Sequence, residues 1–291
     1  MDWRCLKPSI LAEAVDLCAQ EGAEIIAGGT DVMVRLRKRL LKPSLLVDLW
    51  GLQGLGAIQL TDSGSIRVGA LVTHACAERD PLLYHQARPL ALACSQVGSP
   101  QVRNMGTIGG NIVNASPAGD TLPALLVLGA ELVLHGPEGE RRISAESFFT
   151  GPGRTRRERG EILTAVQIPS CAGGIGFFVK AGARKALAIS KVSVAGMLWL
   201  EPLPGGMGVR MARLAMGAVA PVPMRAFSAE EYLGGRELCL QTAAEAAYRA
   251  ACECRPIDDL RAPAWYRRHL VEVLFRRALL DCLPGGERRG V

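Results

Sequence analysis

The sequence predicts a protein of mixed helices and strands with more than one packed unit. The chain has 291 residues, which is more than one hydrophobic core usually serves. Apolar residues recur at helical spacing in some stretches and alternate with polar residues in others, as they do in helices and strands respectively. Glycines around Gly173 and Gly174 indicate a linker before the last part of the chain. We therefore expect three units, at residues 1–57, 58–172 and 176–291.

The first unit is expected to be a small α/β arrangement. Ser9 is placed to cap a first helix. A short strand over 24–27 then runs into two glycines, Gly28 and Gly29, and a stretch with helical periodicity follows. The first glycine pair thus lies at a strand-to-helix turn, and a strand over 45–49 completes the unit.

The second and third units each combine strands with helices. In the second unit the alternation after residue 58 predicts a hairpin, and further strands are expected over 131–135 and 161–168. Between the hairpin and these strands lies the densest motif of the chain, residues 104–112, with a second glycine pair. The third unit opens with two strand patterns and ends in helices rich in Ala, Leu and Arg.

Composition argues against several classes of protein. The formal net charge is +6, but the basic residues are mostly interleaved with acidic and apolar ones, so we do not expect nucleic-acid binding. No apolar stretch approaches the roughly 18 residues that span a bilayer, and no secretory signal is evident, so we expect a cytoplasmic protein. Nine cysteines without a CxxC pair, and four histidines without a ligand spacing, predict buried thiols and no metal site.

The two glycine pairs, each accompanied by threonine, carry the chemical signal. A backbone amide can approach a pyrophosphate closely where no Cβ intervenes, and glycine reaches the positive φ values that gather successive N–H groups into one concavity. Neither pair fits GxGxxG, and no GxxxxGK(S/T) is present, so neither a Rossmann nor a P-loop site is supported. Each pair alone could form a structural tight turn. Together they predict a pyrophosphate site between two lobes.

Several segments resemble the FAD-binding subunits of molybdenum hydroxylases, the family of xanthine dehydrogenase and carbon monoxide dehydrogenase. They follow the family's order along nearly the whole chain, at residues 25–32, 103–112, 115–120, 217–225, 256–261 and 266–268. The resemblance implies an α+β protein, with a two-lobed FAD-binding fold of the vanillyl-alcohol oxidase (PCMH) type and a smaller α+β C-terminal domain.

The resemblance also implies which residues bind FAD, without a covalent bond. The glycine loops would hold the pyrophosphate and ribityl chain, and Asp120 would accept a hydrogen bond from a sugar or ribityl hydroxyl. Val97 and Leu163 would border the flavin or adenine, and Lys180 would lie near the cofactor. The full set is Ile25, Ile26, Ala27, Gly28, Gly29, Thr30, Asp31, Val32, Val97, Thr107, Ile108, Gly109, Gly110, Asn111, Asp120, Leu163 and Lys180.

Some of these residues have a structural alternative. Val97 and Leu163 could simply pack in a core, Asp120 could cap a helix, and Lys180 could face solvent. No residue is assigned as a general acid, base or nucleophile.

The function that the resemblance implies is electron transfer. The subunit would pass electrons from 2Fe-2S clusters through FAD to NAD+ or another acceptor. A small partner chain would carry the clusters and a large one the molybdopterin, in a dimer of heterotrimers. A stand-alone flavoprotein oxidoreductase and a scaffold subunit that has lost FAD are the alternatives. We expect Gly29→Val or Gly109→Val to abolish FAD retention in a folded chain.

Overall fold

A computed structural model of the chain describes residues 3–184 and 187–283. Within these residues the strands form sheets of three, five and four strands and a two-stranded ribbon. The three larger sheets follow one another along the chain, and helices cover them. No helix in the described part is both long and apolar enough to cross a membrane.

The N-terminal sheet is parallel, with strand order β1-β3-β2. Its central strand is buried because Leu45, Leu46 and Val47 carry apolar side chains on both faces. Ser9 does not cap the first helix: Ile10 occupies the N-cap position, and the Ser9 N–H donates to Glu13 Oε2 at 3.0 Å. The elements are β1 (Arg4–Leu6), α1 (Leu11–Cys18), β2 (Ala23–Ile26), α2 (Val32–Arg37) and β3 (Leu45–Asp48).

The central sheet is antiparallel, with strand order β4-β5-β10-β6-β7. Its elements are β4 (Ile58–Leu60), β5 (Ile66–Gly69), α3 (His74–Arg79), α4 (Pro81–Gln86), α5 (Arg88–Ser95), α6 (Pro100–Met105), α7 (Ile108–Asn114), α8 (Thr121–Val127), β6 (Glu131–Gly136), β7 (Gly139–Ser144), α9 (Ala145–Phe148), β8 (Phe149–Gly151), β9 (Arg154–Thr155) and β10 (Ile162–Ile168). The hairpin after residue 58 and the strands over 131–135 and 161–168 are confirmed as β4–β5, β6 and β10. The sequence did not predict β7, because this edge strand is mostly polar and no side chain in it is fully buried.

The C-terminal sheet is antiparallel and is dominated by one long hairpin. Its elements are β11 (Ile175–Ala181), β12 (Val192–Leu203), β13 (Gly206–Gly217), β14 (Met224–Arg225), α10 (Phe227–Leu233), α11 (Leu240–Glu253) and α12 (Ala264–Leu280). One face of the sheet packs on these helices, as Val194 and Leu214 do with Phe275. The other face, including Ala195 and Met197, belongs to the core of the central region. The third sheet is therefore apolar on both faces and joins two layers of helices.

Two arginines, the partly buried Arg225 and the buried Arg267, stabilise the C-terminal segments that resemble the family. Arg225 pairs with Glu230, which also accepts the N–H of Leu214 at 2.7 Å. Arg267 is 4% exposed and donates to the carbonyl oxygens of Lys191 at 2.7 Å and Ala218 at 2.8 Å. These contacts are all within the chain, so both arginines stabilise the fold of the C-terminal region.

Candidate cofactor-binding site

The two glycine loops lie against each other. Loop one, residues 27–32, follows β2 at the carboxyl edge of the parallel sheet and ends at the first residue of α2. Loop two, residues 106–111, comprises the connection from α6 and the first turn of α7. A Cβ at Gly28 would overlap the carbonyl oxygen of Met105, so the chains can approach this closely only with glycine here. The loop contact brings the two lobes together at one site.

A cavity of about 330 Å³ lies between the loops. Val97 and Leu163 both border it, so the structure brings them to the loops, although Leu163 is also part of the core. Thirteen of the seventeen predicted residues line it: Ile25, Ala27, Gly28, Gly29, Thr30, Asp31, Val32, Val97, Thr107, Gly109, Gly110, Asn111 and Leu163. The other four, Ile26, Ile108, Asp120 and Lys180, do not.

Loop one leaves its backbone donors free. Within residues 3–184 and 187–283, the N–H groups of 28–32 donate to no other group of the chain. Gly29 has a φ of 70°, the left-handed conformation that glycine adopts without strain. The Asp31 side chain, at the N-cap of α2, makes no capping bond. Consecutive unpaired N–H groups beside a cavity form a site for an anion.

Loop two differs, because most of its backbone donors are used within the fold, and only the Thr107 N–H donates to no other group in the described part of the chain. Ile108 N–H donates to Val72 O and Gly109 N–H to Ala70 O, both at 2.9 Å. Gly110 N–H donates to Thr107 Oγ1 at 3.0 Å. We predicted from the sequence that both loops supply amides to a pyrophosphate, and in loop two only the Thr107 N–H remains available for this.

Gly109 has a packing role instead. A Cβ there would lie 2.7 Å from Ala70 Cβ and 2.8 Å from Ala70 O, so α7 could not sit this close to the end of β5. Gly110 is exposed and borders the cavity. Asn111 accepts a hydrogen bond from Thr121 Oγ1 at 2.6 Å through its side-chain oxygen. Its NH₂ group remains a donor for a ligand.

Asp120 and Lys180 form a buried ion pair behind the cavity wall. Lys180 Nζ lies 2.7 Å from Asp120 Oδ2 and 2.6 Å from the carbonyl oxygen of Gln96, the neighbour of Val97. Ser190 Oγ donates to the other Asp120 oxygen at 2.5 Å. Burial raises the pKa of the Asp120 carboxyl, while the Lys180 ammonium and the Ser190 hydroxyl act in the opposite direction.

The two structural alternatives, that Asp120 caps a helix and that Lys180 faces solvent, are both wrong. Asp120 makes no side-chain cap on α8, and the Lys180 side chain is only 9% exposed. Contact of either residue with FAD stays a prediction.

Fourteen residues outside the predicted set also border the cavity, among them His74, Arg35 and Arg157. Arg35 lies 3.9 Å from Asp31, and Arg157 Nη1 donates to Glu161 O at 2.8 Å. Arg35 follows Asp31 by one helical turn, a spacing that could have identified it. Arg157 belongs to a basic run over residues 154–159, whose sequence is compatible with a solvated loop or with a phosphate or partner contact. Nothing in the sequence distinguishes Arg157 from its exposed neighbours in that run.

The cysteines are mostly structural. Five are buried, namely Cys18, Cys94, Cys171, Cys254 and Cys282, whereas Cys5, Cys76 and Cys252 are exposed. Burial raises the pKa of the Cys18 thiol to about 11, which keeps it protonated and unreactive. No group of three or more His, Cys, Asp or Glu in the described residues is arranged to hold a metal ion. The prediction of buried thiols therefore holds for five of the nine cysteines.

The donors and the apolar walls together fit FAD. Unpaired N–H groups at 28–32 and the guanidinium groups of Arg35 and Arg157 suit a pyrophosphate, and Val97 and Leu163 suit an aromatic ring system. A two-lobed α+β unit with this cavity between glycine loops defines the class of the protein as a dinucleotide-binding flavoprotein.

Comparison with known families narrows the class. The family described as "FAD binding domain in molybdopterin dehydrogenase" matches residues 1–171. The family described as "CO dehydrogenase flavoprotein C-terminal domain" matches residues 177–282. The chain belongs to the family of FAD-binding medium subunits of molybdenum hydroxylases, and it is a FAD-dependent oxidoreductase subunit.

Individual relatives match this chain over nearly their whole length. The xanthine dehydrogenase FAD-binding subunit of Escherichia coli O157:H7 is 30% identical over 282 residues, covering 95% of this chain and 94% of the relative. The carbon monoxide dehydrogenase medium chain of Afipia carboxidovorans is 33% identical over 276 residues, covering 94% of each chain. The crystal structure of quinoline 2-oxidoreductase from Pseudomonas putida 86 superimposes with a TM-score of 0.90 at 31% identity, covering 98% of each chain. The expected α+β fold, a FAD-binding unit followed by a C-terminal domain, is confirmed.

Proposed function

We propose that this chain holds FAD for electron transfer between 2Fe-2S clusters of a partner chain and NAD+ or another acceptor. The observation that carries the proposal is the row of unpaired N–H groups at 28–32, in a cavity that the second lobe closes. Membership of the family supports it. FAD, when bound, supplies the redox chemistry, because it can take up electrons one at a time and release them singly or in pairs.

Each part of the cavity has a distinct task in this proposal. The N–H groups of loop one bind the pyrophosphate, and Arg35 and Arg157 balance its charge. Gly110 and the Asn111 amide contact the cofactor from the other lobe. Val97 and Leu163 exclude water from its ring systems. No side chain is assigned to proton transfer or nucleophilic attack, since electron transfer needs neither.

The assembly that we propose has three kinds of chain. A small chain carries the 2Fe-2S clusters and a large chain the molybdopterin, in a dimer of heterotrimers. The name of one relative supports this arrangement, since it is a "medium chain" of carbon monoxide dehydrogenase. Relatives named for xanthine, carbon monoxide and quinoline share this fold, so we assign the substrate pocket to the large chain.

We also propose the division into units at 1–57, 58–172 and 176–291. The three large sheets support it, because each takes its strands from one of these ranges, except that β11 begins one residue before the third range, at Ile175. A cytoplasmic location stays a prediction from the sequence.

The test is a visible absorbance spectrum of the full chain, purified under native conditions with any chains that accompany it. We expect flavin bands, FAD released intact by acid, and iron and molybdenum in the accompanying chains. A complex that contains those metals but no FAD would show a scaffold subunit. A flavin-containing chain that turns over a substrate with no partner would show a stand-alone oxidoreductase.

A further inference from the structure

The segment between α5 and α6 carries Val97 to the wall of the cavity. Residues 96–99 join the two helices, and Val97 and Val102 both border the cavity. Gly98 turns the chain here with a φ of 47°, and a Cβ at this glycine would lie 3.0 Å from Val102 Cγ1. Because these residues lie outside the helices, the position of Val97 depends on what else holds the segment in place.

Two side-chain cations contact three consecutive carbonyl oxygens of this segment. Lys180 Nζ donates to Gln96 O at 2.6 Å. Arg103 Nη1 donates to Val97 O at 3.3 Å and to Gly98 O at 3.4 Å. Hydrogen bonds from charged donors are stronger than those between neutral groups. The backbone on both sides of the Val97 side chain is therefore held by side chains from β11 and α6.

Glu78, on α3, holds the Arg103 guanidinium from the other side. Arg103 Nε lies 2.9 Å from Glu78 Oε2, and the two side chains are 17% and 12% exposed. The Nε–H has no aligned hydrogen-bond acceptor among the described residues, so this contact is an ion pair. Arg79 lies 3.7 Å from the other Glu78 oxygen but is 79% exposed, so water screens it and Arg103 is the main counter-charge. Contacts thus run from α3 through Glu78 and Arg103 to the backbone at Val97.

Arg103 itself stays outside the cavity. Neither Arg103 nor Glu78 is among the described residues that line it. An effect of Arg103 on a bound cofactor must therefore pass through another residue. Val97 is the cavity residue whose own carbonyl oxygen Arg103 contacts.

We propose that Arg103 is a positioning residue for FAD, which holds Val97 against the cofactor through the carbonyl oxygens of Val97 and Gly98. Glu78 keeps the guanidinium in place. This inference rests on the proposed cofactor site. Without Arg103 the two carbonyl oxygens lose their donor, the segment is free to move, and Val97 no longer packs on the cofactor.

The test is a double-mutant cycle of FAD affinity, measured by equilibrium dialysis on the full flavin-free chain. Val97→Ala removes two methyl groups from the wall and should weaken binding about tenfold. Arg103→Met removes the donors at similar side-chain length and should weaken binding about threefold to tenfold. In the Val97→Ala background, Arg103→Met should have an effect of about twofold or less, because the contact that Arg103 supports is already gone.

Arg225→Met is the matched control. The Arg225 side chain is 19% exposed and pairs with Glu230, which is 8% exposed, so this variant also leaves a shielded glutamate without its counter-charge. Neither residue of this pair is among those that line the cavity. The control should lose stability as Arg103→Met does and still bind FAD like the wild type. Circular dichroism checks that both variants are folded before the titration.

Three results would overturn the proposal. Effects of Arg103→Met and Val97→Ala that multiply in the double variant would show that Arg103 does not act through Val97. Unchanged FAD affinity in either single variant would remove that residue from the mechanism. An equal loss of affinity in Arg225→Met would show that the effect follows from general destabilisation.

Glu78→Gln decides the question if Arg103→Met does not fold. This change keeps Arg103 and the shape of its partner but removes the charge that orients the guanidinium. FAD binding should weaken about twofold to fivefold, and only while Val97 is present. Unchanged affinity in Glu78→Gln would reject the proposal.

Failure of the cofactor site itself looks different. If Gly29→Ala bound FAD as well as the wild type, the loop-one assignment would be wrong whatever Arg103 does. If Gly29→Ala lost FAD while Arg103→Met kept it, only the inference about Arg103 would be wrong.

Discussion

The two glycine loops share a motif but not a role. In loop one the N–H groups of 28–32 are unpaired and Gly29 takes a left-handed φ, so the loop is arranged to receive a ligand. In loop two the N–H groups of Ile108 and Gly109 donate to carbonyl oxygens of the segment just after β5, so the loop is arranged to hold α7 in place. A Gly-Gly pair therefore marks a place where the backbone can be approached closely. The surrounding residues determine whether a ligand or another part of the protein occupies that place.

Polar contacts between side chains also stabilise loop two and the start of α8 next to it. Asn111 bonds to Thr121, and the next residue back, Asp120, pairs with Lys180. We expect Lys180→Met to lower the free energy of unfolding by about 3–5 kcal/mol, because the Asp120 carboxylate is left buried without its counter-charge. Urea unfolding of the flavin-free chain measures this.

The matched control for that prediction is Arg142→Met, which removes an exposed pair with Glu140. Exposed pairs contribute about 0–1 kcal/mol, so this variant should unfold like the wild type. Similar losses in the two variants would mean that the Asp120–Lys180 pair does not brace the loop.

His74 lies between the loops and predicts a pH dependence of the flavin-free chain. Its pKa is 6.5 when unperturbed and about 4 in the fold, so below pH 6.5 the unfolded chain binds the proton first. The free energy of unfolding is therefore highest, as far as His74 is concerned, above pH 6.5, where the ring is neutral in both states. It falls by up to about 3 kcal/mol as the pH falls towards 4. Urea unfolding at several pH values should show this loss in the wild type and a smaller one in His74→Asn.

The two adjacent glycines of loop two have different roles: Gly109 is needed for packing, and Gly110 for cofactor binding. Gly109→Ala should cost about 1–3 kcal/mol, since its methyl group would press on Ala70. Gly110→Ala meets only Thr107 Oγ1, at 3.0 Å, and should leave stability within about 1 kcal/mol of the wild type while weakening FAD binding.

Thermal unfolding and FAD titration of the two variants test this difference, and a reversed order of stability would refute it. The contact with Ala70 also revises the expectation for Gly109→Val: loss of FAD there would follow from disturbed packing, so the variant does not report on binding alone.

Loop one offers the smallest change in stability with the largest change in binding. Gly29→Ala introduces a side chain at φ 70°, with its nearest contact at 3.4 Å, and should cost about 1 kcal/mol. The control is Gly64→Ala. Gly64 has a φ of 75° in the β4–β5 turn, and a Cβ there would meet no atom within 4 Å, so this variant should lose the same amount of stability. Only the Gly29 variant should lose FAD, as measured by equilibrium dialysis. Equal FAD affinity in the two variants would remove loop one from the site.

The sequence by itself determined the order of the three sheets and the position of the glycine pairs. Alternation of apolar and polar residues identified β4, β5, β6 and β10, because a half-buried strand repeats every second residue. Of the seventeen residues that the resemblance implied, thirteen line the cavity, including Val97 and Leu163. The polar edge strand β7 was not predicted, because its residue pattern resembles that of a loop.

Only the tertiary structure decided which backbone groups remain available. Whether the N–H of Gly109 is free depends on Ala70 O, and whether Asp120 reaches the cavity depends on Lys180 and Ser190. The contacts of Arg103 with the carbonyl oxygens of Val97 and Gly98 likewise became visible only with its neighbours in place. Hydrogen bonds between groups far apart in the chain have no local pattern, so the sequence can place a donor on a loop but cannot tell whether the fold has already used it.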